Sequence, residues 1–143
     1  MADAQELGWN AAIIRDFHEH GGEITLGRLA GSRLLLLTTT GARTGEPHTV
    51  PLGYDREGDD YIVVGSNSGY QQHAAWLANI AADPVVTVEV GRATFRARAV
   101  PTKGAERRRL LDARIARVAI FGDYERKAAP RELPVVRIIP IDG

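Results

Sequence analysis

The sequence predicts a mainly β, α+β domain: a small antiparallel barrel of about six short strands, with an N-terminal helix and connecting helices. Three observations lead to this prediction. The 143 residues suit one domain with a single core. Short runs rich in β-branched residues recur between glycine and proline turns. Few segments have the apolar spacing of a helix. We expect one domain over residues 1–143, with an N-terminal helix and loop in 1–32 and the barrel core in 33–140.

The first helix is predicted at residues 9–20, where the apolar residues fall on one stripe and two glycines then end the pattern. The stripe consists of Trp9, Ala12, Ile13 and Phe17. We expect this face to dock against the barrel. Peripheral contact with a membrane is the alternative, but acidic rather than basic residues accompany the stripe, and anionic lipid favours basic ones.

Two further helices are predicted. One covers residues 71–82 and ends at Asp83-Pro84. The other begins near Lys103 and continues through the arginine-rich residues 106–117. Acidic residues are interspersed among its arginines, so we expect them to form a solvated face rather than a nucleic-acid patch. These arginines are residues 107, 108, 109, 114 and 117.

Strands are predicted at residues 34–40, 49–54, 61–66, 85–90, 93–100 and 134–139. A polar turn containing Gly58-Asp59-Asp60 separates the second and third, which predicts that these two pair antiparallel. Gly91-Arg92 joins the fourth and fifth and suits a two-residue type II′ hairpin.

Composition argues against several functions. The 18 basic residues balance 18 acidic ones, so the large positive field of a general nucleic-acid binder is absent. Without cysteine, the chain has no disulfides, thiolate catalysis or cysteine-ligated metal, and its histidines lack metal-ligand spacing. Asn67 stands where a hydrolase nucleophile elbow needs serine. No signal peptide or spanning segment is recognised, so we expect a cytoplasmic protein, with the inner membrane face as the site of any peripheral contact.

The most informative segment is residues 34–52, LLLLTTTGARTGEPHTVPL, where an apolar strand meets a glycine-rich turn. Gly41 and Gly45 flank the turn and permit backbone torsions through which amide groups and the Arg43 guanidinium can converge on one anion. A hairpin turn with a solvated arginine is the alternative. The spacing fits neither a Walker A loop nor the dinucleotide fingerprint.

Two segments, TTTGARTGEPHTVPL at 38–52 and VVGSNSGYQQHAAWLAN at 63–79, resemble the nitroreductase family of deazaflavin-dependent oxidoreductases, which includes the F420H2-dependent quinone reductases. The resemblance extends from about residue 9 to residue 140. It implies a split β-barrel and coenzyme F420 as cofactor, with FMN as the less favoured alternative.

The resemblance also implies a site. Arg43, Thr44 and His48 match positions that hold the cofactor's phosphate and acidic tail, and two stretches match those that line the ring. Relatives often have further cations at the positions of Ala42, His48 and Asn67, so we expect weaker, more salt-sensitive tail binding. The implied cofactor-binding residues are Arg43, Thr44, His48, Pro51, Leu52, Gly53, Val64, Gly65, Ser66, Asn67, Trp76 and Asn79.

The small residues Gly65 and Ser66 are expected to let a flat ring approach the backbone. Ser66 is also the candidate for holding the acceptor's oxygen. Phe121 and Tyr124 match aromatic positions over the substrate pocket, with Trp9 as a further pocket residue. Tyr124 is the candidate proton donor.

The implied function is hydride transfer from reduced F420 to a quinone, an activated alkene or a nitroaromatic. A non-catalytic F420 carrier and an FMN-dependent reductase on the same fold are the alternatives. We expect a small-molecule electron acceptor as partner, no nucleic acid, no metal, and either a monomer or a homodimer.

Overall fold

The computed structural model describes residues 4–69 and 73–141. Within these ranges an antiparallel sheet of seven strands is surrounded by four α-helices and two short 3-10 turns. In chain order the elements are α1 Ala4–Glu19, a 3-10 turn Gly27–Leu29, β1 Leu34–Thr40, β2 Pro47–Gly53, β3 Asp55–Glu57, β4 Asp60–Val64, a 3-10 turn Asn67–Gly69, α2 Ala75–Ala82, β5 Val85–Val90, β6 Ala93–Pro101, α3 Gly104–Arg117, α4 Ile120–Ala128 and β7 Val135–Pro140.

The sheet curls into a split barrel. Its strand order is β2-β1-β5-β6-β7-β4-β3, so β2 and β3 are the two edges. Only Tyr54 separates them in the chain, because β2 ends at Gly53 and β3 begins at Asp55. The two edges therefore have to lie close together, as in a nearly closed barrel. The predicted fold class is confirmed.

Strand pairing differs from the prediction in one respect. Residues 49–54 and 61–66 are not partners: β2 pairs with β1, and β4 pairs with β3 and β7. The polar turn instead joins β4 to β3, a three-residue strand that the pattern did not reveal. The β5–β6 hairpin is confirmed, with Val90 opposite Ala93 and Gly91 at φ +58°.

The leucine run of β1 is explained by burial on both faces. Leu35 and Leu37 point into the barrel, whose interior is closed by Trp76 and Ile80 of α2. The intervening leucines, Leu34 and Leu36, lie in a separate cluster on the outer face, against α1. Each residue of the run thus contributes to one of two cores.

Helix α1 docks on the outer face of β1, as predicted. Ile13 and Phe17 are fully buried there, whereas Trp9 is 45% exposed. The centre of the stripe is used in packing, so this face gives no support to peripheral membrane contact. Among the described residues there is no helix with the length and apolar character that a membrane span requires.

A buried carboxylate connects the end of α1 to the loop that follows it. Asp16 accepts hydrogen bonds from the Thr25 hydroxyl at 2.5 Å and the Thr25 backbone N–H at 2.7 Å. These bonds lower the pKa of Asp16. The His20 Nδ1 lies 2.9 Å from the Asp16 carbonyl oxygen, and this contact raises the pKa of His20. The loop that leads to β1 is thereby tied to the helix.

A third layer consists of α3 and α4, packed on the outer face of β4 and β7. Its buried residues are Ile62, Val64, Leu110, Leu111, Ala128, Leu133 and Val135. Helix α4 was not predicted. The solvated arginine face of α3 is only partly confirmed: Arg108, Arg109 and Arg117 are exposed, but the Arg107 and Arg114 side chains are 11% and 12% exposed.

Helix α2 begins later than predicted, at Ala75. His73 and Ala74 precede it without helical structure, and the predicted helical positions 71 and 72 lie outside the described residues.

Candidate functional site

The glycine turn closes the β1–β2 hairpin. Gly41 donates its N–H to the Glu46 carbonyl at 2.8 Å, and Gly45 donates to the Gly41 carbonyl at 2.8 Å. Gly45 has φ +73°, a conformation that favours glycine. Arg43 is exposed at the tip between these bonds.

Gly41 brings two of the predicted tail-binding residues together. A Cβ at this position would lie 2.7 Å from the Thr44 hydroxyl oxygen and 3.0 Å from the His48 ring. Both side chains therefore occupy the space that a larger residue would need. With Arg43 next to Thr44 in the turn, this end of the hairpin presents a guanidinium, a hydroxyl and an imidazole.

Asn79 has a structural role that the sequence did not predict. Its amide oxygen accepts a hydrogen bond from the Ala42 N–H at 3.0 Å, and its amide nitrogen donates to the Thr39 hydroxyl at 3.0 Å. The residue is buried, so both bonds are shielded from water. Asn79 thereby fixes the turn relative to α2. Trp76 on the same helix lies in the barrel core and is only 4% exposed.

The second region of the site lies where β2 ends. A Cβ at Gly53 would collide with the Arg114 guanidinium, so this arginine of α3 rests directly on the strand. Arg114 Nη1 donates to the Asp55 carboxylate at 3.2 Å, and the guanidinium carbon lies 4.8 Å from the centre of the Phe121 ring. Arg114 thus connects the end of β2 to α4. A cation within the apolar stripe of Leu110, Leu111, Ile115 and Val118 is the sequence signal that could have revealed it.

The aromatic pair on α4 extends this connection to β4. The Phe121 and Tyr124 rings meet edge to face, with centres 5.5 Å apart. The backbone of Tyr124 would be 3.0 Å from a Cβ placed on Gly69, so α4 packs against the 3-10 turn Asn67–Gly69 that follows β4. Of the two predicted ring-lining stretches, the one at β4 shares a cluster with the aromatic residues through Val64, and the one at β2 is linked to Phe121 through Arg114.

The corner after β4, residues 65–69, has an unusual backbone conformation. Asn67 has φ +46°, in the left-handed region. Arg131 donates to the Ser66 carbonyl at 2.7 Å and to the Gly65 carbonyl at 3.2 Å. Burial lowers the pKa of Arg131. Sequence reasoning missed this residue, and no local pattern marks it.

The space on the Cβ side of Gly65, which was expected to admit a flat ring, is occupied by a side chain. A Cβ at Gly65 would lie 2.8 Å from a methyl carbon of Leu77, so Leu77 of α2 fills that space. The absence of a side chain at Gly65 allows α2 to pack closely against this point of the chain. Its assignment to the cofactor site depends on the resemblance alone.

The remaining predicted residues are distributed over the barrel, the α3–α4 layer and α1. Pro51 and Leu52 are half-buried on β2, with Leu52 against the barrel interior. Val64 is buried in the α3–α4 layer. Trp9 lies on α1 beside Gly27, in a different layer from the α4 aromatic residues. Among the residues that the structure describes, no cluster of three or more histidine or carboxylate groups could hold a metal ion.

A cavity of about 440 Å³ borders the turn through Gly45 and Pro47. Its lining includes the first residue of β2 but no residue from the C-terminal end of β2 or from β4. Its other lining residues are Thr38, Thr39, Thr40, Asp83, Val85, Val86, Thr87 and Arg96.

Comparison with known proteins decides the family. The sequence model described as F420H(2)-dependent quinone reductase matches residues 11–140, nearly the whole chain. The chain belongs to the F420H(2)-dependent quinone reductase family. The resemblance seen in the two motifs is thereby confirmed, and coenzyme F420 is the cofactor that this family membership implies.

Comparisons with individual proteins are consistent with this family. The chain is 42% identical over 69 residues to an F420H(2)-dependent quinone reductase of Mycobacterium tuberculosis (strain ATCC 25618 / H37Rv), an alignment that covers 48% of this chain and 46% of that protein. The chain thus spans about half the length of the curated relatives it matches. A solved F420-H2 dependent reductase, FDR-A, is 30% identical with a TM-score of 0.67, covering 73% of this chain and 92% of that one. A second structure, described as a domain-swapped dimer, is 26% identical with a TM-score of 0.69, covering 92% and 98%.

Proposed function

We propose that the chain is an F420H2-dependent oxidoreductase that transfers a hydride to a quinone. Activated alkenes and nitroaromatics are further candidates because they are also electrophilic acceptors. One geometric observation supports this assignment beyond family membership. The ends of β2 and β4, although distant in strand order, are joined by Arg114, Phe121 and Tyr124. Arg114 rests on Gly53 and contacts Phe121, Phe121 packs on Tyr124, and Tyr124 packs on the 3-10 turn after β4.

The residues present fit a long cofactor with an anionic tail. Gly41 allows Thr44 and His48 to converge beside Arg43, and this end of the hairpin would hold the phosphate and tail. The backbone of residues 51–53 and of residues 64–67 would line the ring. When bound, reduced F420 supplies the hydride, so the protein has to bind, orient and exclude water rather than provide a nucleophile.

We assign the contact with the acceptor to Ser66 and the proton transfer to Tyr124. Ser66 begins the corner after β4, and its hydroxyl would donate a hydrogen bond to the acceptor's oxygen. Tyr124 would donate the proton that completes reduction. Phe121 packs edge to face on Tyr124 and would exclude water from the reacting atoms.

We propose a small-molecule electron acceptor as the partner and a cytoplasmic location. The assembly is either a monomer or a homodimer. A domain-swapped dimer has been described for one structural relative, so size-exclusion chromatography with light scattering should precede any kinetic comparison.

The first test is a fluorescence titration of the purified protein with F420 and, separately, with FMN, followed by addition of menadione to the reduced deazaflavin complex. We expect selective F420 binding and menadione-dependent reoxidation above the protein-free rate. Binding without turnover of menadione or of a nitroaromatic would favour a carrier. Preference for FMN would contradict the cofactor assignment.

The proton-donor role of Tyr124 is tested by Tyr124→Phe, which keeps the ring and removes the hydroxyl. We expect an unchanged dissociation constant for F420 and a turnover number lower by about tenfold or more, since positioned general acids contribute about 10²–10⁴-fold. Phe121→Leu is the matched comparison, because it alters the packing of the same pocket without removing a proton. Equal turnover of Tyr124→Phe and wild type would exclude the hydroxyl as donor.

A further inference from the structure

One guanidinium contacts two backbone carbonyls in the segment that follows β4. Arg131 donates to two successive carbonyl oxygens, Ser66 at 2.7 Å through Nη2 and Gly65 at 3.2 Å through Nη1. In an extended strand, successive carbonyls point in opposite directions. Their convergence on one side chain shows that the chain has turned sharply at this point.

The turn requires an uncommon backbone conformation. Asn67 follows at φ +46°, a conformation that costs energy for a residue with a side chain. Such residues persist where the surrounding structure holds them, and they are concentrated at functional sites. Two backbone bonds assist here, from Gly65 N–H to the Pro134 carbonyl at 2.8 Å and from Gly69 N–H to the Ser66 carbonyl at 2.9 Å.

The same guanidinium also reaches the segment before α2. Arg131 Nη1 lies 3.1 Å from His73 Nδ1. Arginine has no acceptor atom, so the histidine nitrogen is the acceptor of this bond. Arg131 thereby connects the end of β4, the residue that precedes the α2 region, and its own segment between α4 and β7.

We propose that Arg131 is a positioning residue of the cofactor site, acting through the backbone of Gly65 and Ser66 to hold Ser66 and Asn67 in place. The inference rests on the proposed function, because it is the resemblance that assigns Ser66 and Asn67 to the cofactor. The planar fork of arginine reaches two carbonyls at once, whereas a lysine ammonium is a point donor on a flexible stem. Partial burial strengthens the bonds because water competes less for the carbonyls.

The experiment compares Arg131→Met and Arg131→Lys with wild type. Arg126→Met is the matched control: Arg126 is exposed on α4 and pairs with Asp123 one turn away, so its loss leaves the corner intact. Three quantities are measured: the dissociation constant for F420 by fluorescence, the thermal unfolding midpoint, and amide hydrogen exchange of residues 64–69 in the unliganded protein.

We expect Arg131→Met to raise the dissociation constant for F420 about tenfold or more and to accelerate exchange at residues 64–69. Arg131→Lys should show a smaller change in both, and Arg126→Met none. If Arg131→Met does not fold, Arg131→Lys is used instead. The proposal then requires that Arg131→Lys binds F420 more weakly than Arg126→Met.

Two failures are distinguishable. If wild type binds F420 and the Arg131 variants bind it equally well, the inference is wrong while the proposed function stands. A lower unfolding midpoint with unchanged affinity would assign Arg131 to stability alone, which also overturns the inference. If wild type itself binds no F420, the proposed function fails and this inference fails with it.

Discussion

Arg43 is the residue on which the anion-binding interpretation of the glycine turn depends. It is exposed at the tip of the hairpin, next to Thr44 and near His48. We expect Arg43→Ala to weaken F420 binding about tenfold, the loss of one charged hydrogen bond, with a shallower salt dependence. Fluorescence titration at two salt concentrations measures both effects.

The matched control for Arg43 is Arg92→Ala. Arg92 is also an exposed arginine in the turn of a β-hairpin, but it lies in the β5–β6 turn near Gly21. Its removal should leave F420 affinity unchanged. Equal effects of the two variants would mean that general positive charge, rather than the glycine turn, attracts the cofactor.

Asn79 gives a second prediction at the scale of single residues. Asn79→Ala removes the partners of the Thr39 hydroxyl and the Ala42 N–H, so we expect the free energy of unfolding to fall by about 1–3 kcal/mol. Thr39→Val removes only one of the two bonds and should cost less. Urea denaturation of both single variants and the double variant should show non-additive losses, and strict additivity would contradict the shared network.

Sequence motifs could predict the turn but not the two arginines that support the rest of the site. Arg43, Thr44 and His48 lie within six positions, so their proximity follows from one hairpin. Arg114 and Arg131 are each more than 60 positions from the strand ends they contact, at Gly53 and Gly65. The apolar stripe of α3 marks Arg114 as a cation on a buried face but does not show which strand end it contacts. The contact of Arg131 depends on how the segment between α4 and β7 packs against the end of β4, and no local pattern encodes that packing.

At the scale of elements, the close contact between the segment after α1 and the β5–β6 hairpin requires glycine at position 22. Gly22 has φ +95°, and a Cβ there would collide with the Gly91 backbone. Gly31 has a similar φ of +84° with no atom within 4 Å of a Cβ. Gly31→Ala should therefore cost only the backbone strain, roughly 1–2 kcal/mol. Gly22→Ala should cost that and a steric penalty of roughly 1–3 kcal/mol.

Thermal or urea unfolding of the two glycine variants measures this difference. Both substitutions change the unfolded chain in the same way, so the comparison isolates the contact with Gly91. Equal losses of stability would mean that α1 and the hairpin can separate without cost. A larger loss for Gly22→Ala would confirm that their close approach stabilises the fold.

The elements that sequence reasoning missed have physical reasons for being missed. Strand β3 has three residues, Asp55–Glu57, and none is apolar, so its β structure depends on tertiary contacts, namely pairing with β4 and ion pairs. Helix α4 contains Gly122, which disfavours helix in isolation. It is stabilised by Ala128, Phe121 and Tyr124 packing on the α3 layer. Long periodic elements such as α1 and β1 were predicted because their own residues specify them.

At the scale of the whole molecule, an ion-pair network connects the edge strand β3 to β4, β7 and α3. Arg137 of β7 donates to Glu57 of β3 at 2.7 Å, to Asp60 at the start of β4 at 2.9 Å, and to Glu106 of α3 at 2.7 Å. Arg109 of α3 also donates to Glu57, at 2.7 Å. Three strands and one helix therefore share these charges, which explains how a short, polar edge strand is retained.

This network makes the stability of the whole fold depend on pH. Hydrogen bonds from Arg109 and Arg137 lower the pKa of Glu57 to about 2, from its usual 4.5. A carboxylate with a lowered folded-state pKa stabilises the fold above its unfolded value, and that contribution is lost as pH falls through the folded value. Wild type should therefore lose this part of its stability between about pH 4.5 and pH 2.

Arg137→Met tests this dependence. The variant should be less stable than wild type at pH 7, and the difference should shrink as pH falls from about 4.5 towards 2, because Glu57 progressively takes up a proton over this range. Urea denaturation at a series of pH values measures it. Arg126→Met is the control, because Arg126 forms an ion pair with Asp123 on the same helix. Its effect on stability should be small and should not follow the titration of Glu57. A stability difference for Arg137→Met that stays constant from pH 7 to pH 2 would mean that the arginine stabilises the barrel edge through packing of its aliphatic stem rather than through its charge.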